Sequence, residues 1–174
     1  MRIALLILIA LTSSHGAEPI PWPKSLKEKI DFKVTKPGKL PAGLKFDQIT
    51  VEGLEPHDVG ICWIDINQDE KPELLIDTHE GGTGGSYKQI FMKTDSGFRR
   101  IARWMGGIKF VTPANGYFQI ESWSSAGGGE FSRVLLRYEN KRYHMVRLED
   151  WRLIGGDEGW KFIRSRDPKR HDHE

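Results

Sequence analysis

The stretch 65-DINQDEKPELLID-77 follows directly on the apolar run 59-VGICWI-64 and leads into a second one. An apolar run, a polar break rich in Asp and Asn, and a return to Leu-Leu-Ile is the pattern of two strands joined by a loop. In the returning run, Leu74 and Ile76 point one way and Leu75 and Asp77 the other, because side chains alternate along a strand. The rest of the chain repeats this grammar. Short apolar runs are separated by Gly, Asn, Asp and Pro, and helix-favouring stretches are scarce. The expected class is mainly β with little helix.

The segment containing this loop has a second copy. Align 74-LLIDTHEGGTGGSYKQIFMKTDSGFRRI-101 with 118-FQIESWSSAGGGEFSRVLLRYENKRYHMV-146. Leu74 meets Phe118, Ile76 meets Ile120, and Asp77 meets Glu121. Gly84 and Gly85 meet Gly128 and Gly129, and Ile90 meets Val134. An extra residue in the second turn then sets Phe98 opposite Tyr143. Each copy reads as a three-stranded meander, with Val59–Ile64 and 108–111 as added strands. Tyr87–Lys93 is apolar on both faces, as in a strand covered on both sides. The glycine runs precede strand-like sequence, not a helix, so they read as inter-strand connections and not phosphate loops.

The copies occupy 59–103 and 108–151. Two units fall short of the four to eight blades of a propeller. The expected architecture is two blade-like antiparallel meanders packed as a sandwich or an incomplete propeller.

The loop itself poses a chemical choice. Calcium takes six to eight hard oxygens at about 2.3–2.6 Å. Asp65, Asn67 and Asp69 stand at alternate positions, the Lys71 carbonyl can add another oxygen, and Glu73 can close the shell. Without a cation, repulsion among Asp65, Asp69, Glu70 and Glu73 opposes closure. The other reading is a polar turn whose Asp and Asn side chains bond to their own backbone. The strand-like flanks, Glu70 at the sixth loop position and Ile76 at the twelfth disfavour an EF-hand, which the loop matches only in part.

The phrase 63-WIDINQDEKPELLI-76 resembles the FG-GAP/VCBS-type repeat, whose core runs Asp-x-Asn-x-Asp-Gly-x-x-Asp-hydrophobic. In that family the loop joins two strands of a propeller blade and binds calcium. The resemblance implies Asp65, Asn67, Asp69, the Lys71 carbonyl and Glu73 as ligands of a structural Ca²⁺. Glu70 stands where the family has Gly, and Glu73 where it has Asp. The second copy keeps the strands without this loop.

The ends of the chain read differently. Residues 1–17, MRIALLILIALTSSHGA, have the charged start, short apolar run and small residues of a secretory signal. Residues 18–43 are rich in Pro and Lys and read as extended, with a turn or two of helix allowed at 25–30. The β domain is expected over 44–163, and 164–174 as a disordered charged tail. Cys62 is the single cysteine, so an exported fold here does not rest on disulfides. The formal charge of +2 points to neither nucleic acid nor anionic lipid as a partner. After residue 17 no segment is apolar and long enough to insert in a membrane.

The expected function is therefore a secreted or periplasmic, calcium-stabilised β module that binds an extracellular protein or glycan. Two alternatives stand beside it. One is a hydrolase acting on extracellular polysaccharide or peptide, with Asp77 and Glu121 as its carboxylates, His79 nearby, and Trp63, Trp123 and Trp151 as sugar platforms. The other is an inhibitor of another exported protein, using a Gly-rich loop beside Tyr87 or Trp123.

Overall fold

The computed structural model describes residues 30–49, 57–154 and 159–168. The expected signal at 1–17, the helical turns at 25–29 and the last residues of the tail lie outside them.

Among the described residues ten strands run in chain order: β1 (Lys33–Thr35), β2 (Val59–Ile64), β3 (Glu73–Gly82), β4 (Gly85–Thr94), β5 (Gly97–Met105), β6 (Lys109–Ala114), β7 (Tyr117–Gly127), β8 (Glu130–Glu139), β9 (Arg142–Leu153) and β10 (Trp160–Arg166). They form two antiparallel five-stranded sheets, ordered β1-β2-β3-β4-β5 and β10-β9-β8-β7-β6. The sheets pack together without closing into a barrel. Helical structure among the described residues is limited to 3₁₀ turns such as Pro37–Lys39 and Phe46–Gln48. Of the two expected architectures, the sandwich is the one adopted.

The expected copies correspond to β2–β5 and β6–β9. The glycine runs are hairpin connections, as read from the sequence. Gly128 and Gly129 (φ 59° and 77°) close β7–β8, and Asn140 and Lys141 (φ 50° and 68°) close β8–β9. Two successive left-handed residues match the right-handed twist of the flanking strands.

Alternation decides the layers. On β3, Leu75 faces the second sheet and joins Ile90, Ile101, Phe110, Phe118, Ile120 and Leu136 in a core shared by both sheets. Its neighbours Leu74 and Ile76 face the other way, into a second cluster with Phe91, Leu44 and Ile49. The first sheet is thus buried on both faces. Its outer cover is the segment around the Phe46–Gln48 turn, anchored by an amide hydrogen bond from Gln89 to the Ile49 carbonyl.

Two expected boundaries need correction. Lys33–Thr35 is not outside the β domain: it pairs with Val59–Ile61 as the edge strand of the first sheet. Arg164–Arg166 are not part of a disordered tail: they belong to β10 and pair with Leu148–Asp150. Asp150 holds them there, accepting from Arg164 Nε (2.9 Å), Arg166 Nη2 (2.7 Å) and Ser132 Oγ (3.1 Å). Burial alone raises the pKa of a carboxyl, but these donors bring that of Asp150 below its ordinary value. The charged sequence gave no apolar signal for a strand because its partner is a carboxylate. No helix among the described residues is long and apolar enough to cross a membrane.

Ile49 is fully buried between the covering segment and the first sheet. Ile49→Ala is expected to cost about 2–5 kcal/mol in chemical denaturation, as for other deeply buried aliphatic truncations. A loss under about 0.5 kcal/mol would mean that the segment does not cover this face in solution.

Candidate functional site

Two places gather chemistry: the loop between β2 and β3, and a hollow on the outer face of the second sheet.

The loop bridges the sheets. Ile66 is fully buried in the shared core. Its carbonyl accepts from the Phe118 N–H of β7 (2.8 Å), and Asn67 Nδ2 donates to the Tyr117 hydroxyl (3.3 Å). The side-chain oxygens turn inward onto backbone amides. Asp65 Oδ1 accepts from Asp69 N–H (3.1 Å) and Asp65 Oδ2 from Glu70 N–H (2.9 Å). Asn67 Oδ1 accepts from Asp69 N–H (3.2 Å), and Asp69 Oδ1 from Lys71 N–H (2.9 Å). Glu73 is 3% exposed and accepts from Ile66 N–H through Oε2 (3.1 Å).

These amides offset the repulsion expected among the carboxylates, so the loop closes on its own backbone. Glu70 has φ 65°, a left-handed conformation that favours Gly. The donor set is oxygen-rich, which suits a hard cation. As placed, Asp65, Asn67 and Asp69 are loop-closing acceptors, and Glu73 sits beneath them. Among the described residues, no three His, Cys, Asp or Glu side chains converge as a metal cage. A cleft of about 830 Å³ flanks the loop, lined in part by Trp63, Asp69, Lys71, Lys93, Asp95 and Tyr117.

Burial raises the Glu73 pKa; the Ile66 and Glu73 amides pull it back down, and the Asp69 and Asp65 charges push it up, leaving it above the ordinary value.

Asp77 and Glu121 occupy equivalent strand positions but do not meet. Asp77 has the parity of Leu75 and faces the inter-sheet side of the first sheet, beside Lys88 Nζ (3.1 Å). Burial raises its pKa, while hydrogen bonds from Ser86 and the His79 N–H and the Lys88 charge bring it below its ordinary value. Glu121 lies between Ile120 and Ser122, whose side chains face the first sheet, so Glu121 faces outward. The backbone of the second sheet separates the two carboxyls. On opposite sides of that backbone they do not form the carboxylate pair that the hydrolase alternative names.

Glu121 belongs instead to the hollow. It is 4% exposed. Arg133 of β8 donates to its Oε1 through Nε (2.9 Å) and Nη2 (2.6 Å). Its Oε2 is buried and has no hydrogen-bond partner among the described residues. Leaving such an acceptor unpaired costs on the order of 1–3 kcal/mol or more. The hollow above it has a volume of about 440 Å³, and Trp123, Phe131 and Trp160 form its apolar walls. Trp123 is 44% exposed and Trp160 51%.

Both indoles are seated. Trp160 meets Phe131 edge-on, ring centres 4.5 Å apart. Trp123 lies against Gly107, where a Cβ would stand 2.3 Å from the ring. The Gly107 N–H also donates to the Trp123 carbonyl (2.8 Å). Trp151, named with Trp63 and Trp123 as a platform, stacks on Phe131 and meets Phe162 in a T-shaped contact. Trp63 lies on the first sheet. Sequence reading therefore found Glu121 and Trp123 but missed Arg133, Trp160 and Gly107. The period-two alternation of β7 and β8 carries the signal for Arg133; nothing local carries it for Trp160 or Gly107.

Comparison with family models, curated proteins and solved structures finds no match for this chain.

The raised Glu73 pKa has a defined consequence. Its contribution to stability is fully present below the unfolded value, near 4.5, and is lost as pH rises through the folded value. Glu73→Gln keeps an acceptor for Ile66 N–H and removes the charge. It is expected to melt above wild type at pH 7 in metal-free buffer, with the gain vanishing below pH 4.5. An equal or lower melting temperature at pH 7 would show that the buried charge is not a burden. Glu70→Gly relieves a left-handed residue and is expected to stabilise by up to about 1 kcal/mol in urea titration.

Proposed function

We propose that this protein is an exported, non-catalytic β-sandwich that binds a ligand in the hollow of its second sheet. In this reading the β2–β3 loop is a calcium-stabilised brace between the sheets. The observation that carries the binding role is Glu121, which lines a hollow walled by exposed indoles and whose buried Oε2 has no hydrogen-bond partner among the described residues. Binding sites are mostly apolar concavities with a few placed polar groups, and this hollow has that make-up. The cleft beside the loop is larger, but no buried unpaired oxygen or nitrogen is found at its lining residues among the described residues. The separation of Asp77 from Glu121 favours a binding role over hydrolysis. Export rests on the sequence of residues 1–17.

Calcium would act on stability. Asp65, Asn67, Asp69, the Lys71 carbonyl and Glu73 supply hard oxygens at the place where the first sheet is tied to Phe118 of the second. A cation there offsets the clustered negative charge, including the buried Glu73, and its binding energy adds to folding energy. Millimolar CaCl₂ is expected to raise the melting temperature of the mature protein over its value in chelator. The increase should be absent from the Asp65→Ala/Asp69→Ala variant. Identical melting curves with calcium and with chelator would remove the metal from the proposal and leave an amide-closed polar turn.

The binding role is checked by ligand-observed NMR with pools of neutral sugars, short peptides and small amines. At least one pool should give saturation transfer that Trp123→Ala abolishes. Failure of every pool to depend on Trp123 would overturn the binding reading.

A further inference from the structure

We propose that the hollow takes a neutral sugar ring, as part of a glycan, with its C–H face on the exposed indoles and a ring hydroxyl donating to Glu121 Oε2. This rests on the binding role proposed above and goes further by naming the ligand's chemistry.

Charge decides against an ionic ligand. Both carboxylates that line the hollow are already matched by arginines. Glu121 is held by Arg133, and Glu130 by Arg152 through Nε (2.9 Å) and Nη2. A cationic amine reaching Glu121 meets the Arg133 guanidinium beside it. An anion meets the lone pairs of Glu121 Oε2. A neutral group with an O–H donor satisfies that oxygen at no cost in charge.

Shape and surface select among neutral donors. Trp123 and Trp160 present broad, rigid faces with a negative π cloud, which attracts weakly polarised C–H groups. A pyranose ring supplies what this hollow lacks: C–H-lined faces for the indoles and a rim of hydroxyls, one of which would donate to Glu121 Oε2. The walls are set before the ligand arrives, since Gly107 backs Trp123 and Phe131 packs against Trp160 in a T-shaped contact. Preorganisation of this kind reduces the ordering cost of binding. The hollow, about 440 Å³, lies in the size range of ligand pockets.

The test is affinity electrophoresis of the mature protein through native gels containing neutral polysaccharides: a β-glucan, a mannan, a xylan and a galactan. At least one should retard the wild type. Trp123→Ala, Trp160→Ala and Glu121→Gln are each expected to weaken that interaction about tenfold or more, with folding checked by melting temperature. Gly107→Ala, which displaces the Trp123 indole without removing it, should weaken it as well. Retardation unchanged in the Trp and Glu121 variants would place the sugar elsewhere and overturn the proposal. A parallel arm selects displayed peptides on the immobilised protein. Peptide binding that requires Trp123, with no polysaccharide retarded, overturns the sugar assignment and leaves the binding role standing. Absence of any Trp123-dependent ligand in both arms overturns both.

Discussion

Leu74 and Leu75 are neighbours in β3, and both are fully buried. Adjacent strand residues face opposite sides of a sheet, so this strand can fold only if something covers each side. The second sheet covers the Leu75 side, and the chain around Leu44 and Ile49 covers the Leu74 side. Much of the architecture follows from that requirement. The first sheet becomes the middle layer. The second sheet has an apolar side turned inward, and its outer side carries polar and aromatic residues beside the buried Val111 and Leu135, which pair with Gln119 and Glu121.

That outer side is where a site can form. On β7 the outward positions are Gln119, Glu121 and Trp123, and β8 sets Arg137 and Arg133 beside the first two. Arg137 donates to Gln119 (3.2 Å) as Arg133 does to Glu121, so two arginines bind a polar row across the strands. At the Trp123 end the row meets the aromatic residues of β8, β9 and β10. Glu121 thus stands at the border of a charged row and an aromatic cluster, with one oxygen buried.

The β2–β3 loop solves a different problem. It must carry the chain from one strand to its neighbour while sending Ile66 into the shared core. The second copy manages its turn between β6 and β7 with Asn115 and Gly116 alone, both left-handed. The longer loop of the first copy reaches the opposite sheet and binds Phe118 and Tyr117 there. Its acidic residues have a structural use, because each short side chain caps an amide that the strands leave unpaired. The same oxygens are the ones that a hard cation would recruit, so the two readings of the loop share one geometry and differ in the loop's response to calcium.

The sequence by itself determined the β class, the two copies, their turns and the facing of Leu74, Leu75, Ile90 and Phe91, because these follow from period-two alternation and from residues that tolerate left-handed backbone. It also marked Glu121 and Trp123 as residues with chemistry. Tertiary structure alone decided that the copies form a sandwich, that residues 40–49 cover one face, and that β10 docks through arginines on Asp150. It also decided that Asp77 and Glu121, equivalent in sequence, stand on different sides of a sheet. The hollow belongs to this second group. Its walls come from β7, β8, β10 and the backbone at Gly107, and no local pattern records which distant strands a sheet will bring side by side.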